Sequence, residues 1–115
     1  MNYSFLRTLA LAATAAGVLS SGAIAGDAAK GKIAYVKNGC YQCHGFMGQG
    51  GQAGSKLAPK PMPEEAFVNF VRTTNRAMPP YSEQILPNAD LADIYTYVES
   101  LPAGPDPKTI QLLNQ

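Results

Sequence analysis

The sequence has no tryptophan, one histidine and two cysteines. Side chains that commonly bind metals or attack substrates are therefore scarce, and every cysteine and histidine falls between residues 40 and 44. Excess charge of either sign is also lacking: nine Lys and Arg stand against eight Asp and Glu, for a formal charge of +1. Apart from Arg7, basic and acidic residues balance at eight each. Such a chain lacks the basic surface that neutralises nucleic-acid phosphates or draws a polybasic protein to an anionic membrane. No long apolar run follows the first 25 residues, and no period-2 alternation is long enough to read as a strand. The length of 115 residues accommodates one small domain, with no room for a second core or a large substrate cavity.

Residues 1–25 have the three parts of a secretory signal: Arg7, a Leu/Ala-rich run from Thr8 to Leu19, and an Ala23-Ile24-Ala25 cleavage pattern. The apolar run is shorter than the ~20 residues of a spanning helix, so cleavage is expected in preference to a retained anchor. The expected division is a signal over 1–25, a domain over 26–102 and an extended tail over 103–115. Export through such a signal in a bacterium leads to the periplasm, where two neighbouring free thiols tend to oxidise unless something else engages them.

Asp27 to Asn38 reads as a helix with Ile33, Val36 and flanking alanines on its apolar side, Tyr35 adjoining, and Gly39 as its stop. Glycines at 45, 48, 50, 51 and 54 and prolines at 59, 61 and 63 mark a long irregular stretch. Pro63 suits a helix start, with Glu64 and Glu65 in the first turn and Ala66, Phe67, Phe70 and Val71 at helical spacing up to about Thr73. Met78-Pro79-Pro80 must be extended. Asn88 reads as the N-cap of a last helix to about Ser100, striped by Leu91, Ile94, Tyr95, Val98 and Leu101 and stopped by Pro102. The expected class is all-α: three main helices and Gly/Pro-rich loops. That is a poor core for a domain of this size, so something other than side chains is expected at its centre.

Cys40-Tyr41-Gln42-Cys43-His44 supplies that group. Cys-x-x-Cys-His is the attachment signature of c-type haem. Two thiols spaced by two residues reach the two vinyl groups on a porphyrin edge, and the following imidazole is held beneath the iron. A thioredoxin-like pair calls for a preceding strand, a structural zinc site for four ligands, and a disulfide across two residues is strained. Gly48-x-Gly50-x-x-Ala53 fits a dinucleotide fingerprint in form only, since it follows no strand and opens no helix.

His44 is the only histidine, so a second axial ligand from this chain is expected to be a thioether. Met47 lies too close in sequence to reach the opposite face, and Met62 sits between Pro61 and Pro63. Met78 follows a complete helix that carries the chain around the porphyrin edge, and Pro79 and Pro80 stiffen its far side. Met78 is the expected ligand. Met62, and an iron left open as in a haem enzyme or gas sensor, remain the alternatives. With both axial positions filled, the iron has no substrate site and exchanges one electron at a time; the thioether and burial favour the ferrous state.

From Asp27 to Pro102 the chain resembles the small class I monohaem c-type cytochromes of the bacterial periplasm. Lys30-Gly31-Lys32 with Tyr35 is similar to the family's first-helix pattern, Tyr97 to the aromatic on its last helix, and Met78-Pro79-Pro80-Tyr81 to its Met-Pro-x-aromatic loop. The resemblance implies a crossing of first and last helices, haem c bound by Cys40 and Cys43, and iron ligated by His44 and Met78. It also implies a Ser55 carbonyl accepting a hydrogen bond from the His44 imidazole, and Leu57 packed on the porphyrin. Two departures stand out: Gly39 is an extra residue before Cys40, and Ser55 occupies a position where the family often has proline. Redox proteins are the implied partners, a dehydrogenase as donor and a cytochrome or oxidase as acceptor, with the chain as free carrier or dedicated subunit. Arg72 and Arg76 are candidates for the haem propionates or, equally, for plain surface solvation, and Lys37, Lys56 and Lys60 for an exposed haem edge. The neutral total favours an apolar partner contact around Pro80 and Tyr81.

Overall fold

A computed structural model describes residues 26–59 and 61–115; the segment read as an export signal and Lys60 lie outside the described residues. Among the described residues four α-helices follow in order: α1 (Ala28–Lys37), α2 (Cys40–His44), α3 (Glu64–Thr73) and α4 (Asn88–Ser100). No strand occurs among the described residues, and no helix there is long and apolar enough to cross a membrane.

Asp27 caps α1 by accepting from the amides of Ala29 (2.8 Å) and Lys30 (3.1 Å). These bonds, led by that from Lys30, hold its carboxyl below the ordinary value. The amide of Asp27 itself donates to Asp93 Oδ1 at 2.6 Å and ties the start of α1 to α4.

The α1–α4 crossing dominates the packing, and it corrects one expectation. The buried face of α1 is Gly31, Ala34 and Tyr35, while Ile33 is 69% exposed and Val36 40% exposed. Contact distance is the cause. A Cβ on Gly31 would collide with the Asp93 carbonyl and lie 2.8 Å from Tyr97 Cβ. A β-branched residue has no room at such a crossing, so the smallest side chains turn inward and Ile33 and Val36 turn out. Tyr35 packs edge-on to Tyr97 with ring centroids 5.5 Å apart.

Leu91, Ile94, Tyr97 and Val98 of α4 are buried, with Leu101 just beyond its end. The half-buried Tyr95 meets Phe67 of α3 edge-on at 5.4 Å. The N-cap of α4 is Pro87 rather than Asn88, which is the first helical residue and spends its side chain on tertiary bonds. Pro63 likewise stands just before α3 as its cap. Beyond Leu101 the chain is mostly exposed and folds into two 3-10 turns, Pro107–Thr109 and Gln111–Leu113. The side-chain amide of Asn114 donates to the carbonyls of Pro107, Lys108 and Ile110 there.

Candidate haem site

The Cys-x-x-Cys-His segment is itself helical, a fourth helix that the three-helix expectation did not include. Five residues have little helical stability alone. Here α2 is bracketed by Gly39 (φ 74°) and Gly45 (φ 75°), left-handed positions that turn the chain sharply at each end. Gly39 thus has a structural use: it reverses the chain after the Asn38 cap, so Cys40 begins a new helix at once.

The glycine-rich loop then doubles back under α2. Gly50 N donates to the His44 carbonyl at 2.8 Å, Gly51 N to the Gly54 carbonyl at 2.9 Å, and Leu57 N to the Gly48 carbonyl at 2.8 Å. Gly54 passes so near the helix that a Cβ there would lie 2.7 Å from the Cys43 carbonyl. The loop delivers the Ser55 carbonyl to 2.7 Å from His44 Nδ1. A carbonyl only accepts, so Nδ1 carries a proton; in the neutral imidazole this tautomer leaves the lone pair that binds iron on Nε2. No proline at position 55 is needed for this geometry.

Two tyrosines from the helix crossing hold the residues after His44. Tyr35 Oη donates to the Gly45 carbonyl at 2.7 Å and Tyr97 Oη to the Phe46 carbonyl at 2.9 Å. Burial raises the pKa of both hydroxyls, so both remain donors at neutral pH.

Cys40, His44, Ser55, Leu57 and Met78 all line one largely apolar cavity walled by α3 and α4 through residues such as Phe67 and Ile94. Cys43 lies on an adjoining groove shared with Cys40, His44, Ser55 and Met78. The six expected haem-binding positions are thus brought together. Cys40 is half-buried and Cys43 exposed, with no disulfide between them. Burial pushes the Cys40 thiol up to about 11, so it is neutral at physiological pH. No group of three or more His, Cys, Asp or Glu side chains among the described residues is arranged to hold a bare metal ion. The residues present fit a covalently attached porphyrin: apolar walls, two thiols at the rim, an imidazole with Nε2 free, and a thioether.

The remaining candidates are placed differently. Met62, the alternative thioether, lines the same cavity as Met78. Met47 is 47% exposed and lines a separate groove near the tail. Lys37 and Lys56 line other surface grooves and not the cavity. Arg76 borders the Cys43 groove. Arg72 donates to the Tyr81 carbonyl and to Asn88 Oδ1. Phe67 and Phe70, known from the sequence only by their helical spacing, form an aromatic wall of the cavity; that spacing does not distinguish packing on a neighbouring helix from packing on a cofactor.

Residues 26–98 match the family model described as cytochrome c oxidase, cbb3-type, subunit III. The chain belongs to this family of c-type cytochromes. Comparison with curated proteins and with solved structures found no match. Membership agrees with the all-helical fold and implies covalently bound haem c. The chemistry of a cytochrome c domain is haem-based electron transfer, the work of a carrier rather than an enzyme, and it calls for redox partner proteins.

Proposed function

We propose that this cytochrome is a periplasmic one-electron carrier holding a single haem c, tethered by Cys40 and Cys43 and ligated by His44 and Met78. It takes electrons from a dehydrogenase and passes them to a downstream cytochrome or oxidase, as a free carrier or as the dedicated cytochrome subunit of an oxidoreductase. The observation that carries this reading is the 2.7 Å contact between His44 Nδ1 and the Ser55 carbonyl, in a cavity that Met78 also lines.

When bound, the haem supplies one reversible electron at its iron. The chain's residues do the rest. The Ser55 carbonyl orients the imidazole and enriches its electron density. Leu57, Phe67, Val71 and Ile94 exclude water and disfavour a gain of charge in the cavity. Cys43 and Pro79 leave one side of the site open to a partner surface. The periplasmic assignment is supported by the Arg7, Leu/Ala-run and Ala-x-Ala pattern, and by the need of both thiols for a partner in an oxidising compartment.

An optical and EPR spectrum of the oxidised holoprotein tests the ligation: low-spin iron with a weak sulfur-to-iron band is expected, and a high-spin spectrum with carbon monoxide binding on reduction rejects it. Fractionation of the source cells tests the compartment. Co-purification separates the two carrier forms, since a lone monomer counts against a dedicated subunit.

A further inference from the structure

The segment from Met78 to α4 is fastened at Tyr81 by three hydrogen bonds running in different directions. Tyr81 N donates to the Val71 carbonyl at 2.9 Å, Tyr81 Oη donates to the Asn38 carbonyl at 3.0 Å, and the Tyr81 carbonyl accepts from Arg72 Nη1 at 2.8 Å. The same guanidinium donates through Nη2 to Asn88 Oδ1 at 2.7 Å, and Asn88 Nδ2 donates to Glu83 Oε1 at 2.8 Å. Arg72 therefore holds the loop near its start, at Tyr81, and near its end, at Asn88, from a single position on α3. Its planar fork makes this possible, because two donors at fixed separation serve two acceptors at once.

We propose that Arg72 is a positioning residue for the Met78 thioether: it touches neither iron nor porphyrin, and holds the loop closed so that a weak iron–sulfur bond persists. This rests on the reading of Met78 as the axial ligand. An iron–thioether bond is easily displaced, so its occupancy depends on how seldom the loop opens. Tyr81 is three residues from Met78, with only Pro79 and Pro80 between, and two prolines pass a constraint along the chain with little slack. Releasing the Tyr81 carbonyl loosens Met78 directly.

The test uses the holoprotein, with exogenous imidazole as the probe. In the oxidised protein imidazole competes only when Met78 has left, so its affinity reports loop opening. Arg72→Met keeps the aliphatic stem and removes every donor. Its expected imidazole affinity rises about tenfold, in keeping with loss of a charge-assisted hydrogen bond. The sulfur-to-iron band weakens, while far-UV helix content is retained. Arg72→Lys, with one donor for the Tyr81 carbonyl, restores part of the parent behaviour. An Arg72→Met protein with parental imidazole affinity and band intensity overturns the proposal. If Arg72→Met does not fold, Arg72→Gln, which is too short to serve both acceptors, decides in its place: higher imidazole affinity supports the brace, and parental affinity overturns it. Met78→Ala separates the two readings. If it binds imidazole no better than the parent, the axial assignment has failed; if it opens the site while Arg72→Met stays closed, only the role of Arg72 has failed.

Discussion

Gly31 of α1 lies directly against the Asp93 carbonyl of α4, with no space for a β-carbon between them. This is where the first and last helices meet. It sets the inward face of α1, and through Tyr35 and Tyr97 it sets the position of the loop after His44.

Gly31→Val is expected to destabilise the protein by about 2–3 kcal/mol, since the obstacle is backbone and cannot rotate away. Gly104→Ala is the control: nothing lies within 4 Å of the added atom, so its effect should stay within about 0.5 kcal/mol. Denaturant melts of the two variants make the comparison, and equal midpoints would contradict the crossing described here.

Two thioethers border one cavity, and they can be told apart. Met78→Ala should lower the reduction potential and let the ferrous protein bind carbon monoxide. Met62→Ala should leave both properties at the parental values. The opposite pattern assigns the iron to Met62.

Removing the covalent tethers should convert a permanent cofactor into an extractable one. Acid-acetone is expected to leave the pigment on the parent and strip it from the Cys40→Ala/Cys43→Ala protein. With the porphyrin gone, the apolar walls lose their central packing partner, so the colourless protein should unfold at a lower temperature by circular dichroism. Pigment retained by the double variant rejects thioether attachment.

Tyr35 sets a limit at high pH. Burial raises its pKa above the ordinary value of 10.0, so folding favours the protonated phenol. The unfolded chain loses this proton first. The associated stability is complete below about pH 10 and is lost as pH climbs toward the folded-state value. Tyr35→Phe should cost about 1 kcal/mol at neutral pH, through the lost bond to Gly45, and should flatten the alkaline decline. Urea melts at stepped pH on both proteins check the sign.

The all-α class, three of the four helices and the haem motif were legible because each is a local pattern. Helical spacing after Pro63, the Cys-x-x-Cys-His run and the proline pair after Met78 need no knowledge of neighbours. The inward face of α1 was not legible from hydrophobicity, because the crossing rewards small size: Gly31 and Ala34 go in while Ile33 goes out. The resemblance did point to Gly31, Tyr35 and Tyr97, and the packing explains the pattern it carries. The α2 helix was hidden because its ends are set by two left-handed glycines and its middle by the fold. The bracing role of Arg72 was not legible for a related reason. An arginine on a helix next to a cofactor site invites an anionic partner, yet its acceptors here are a backbone carbonyl and an amide oxygen distant in sequence.

Tyr97 grips the Phe46 carbonyl from near the far end of the domain, and this has a consequence for the order of assembly. The bond spans 51 residues of chain, so the ground beneath His44 gains its last fastening only when α4 docks on α1. Until then the two thiols stand on an unlatched platform, and the final helix is the bolt that slides home.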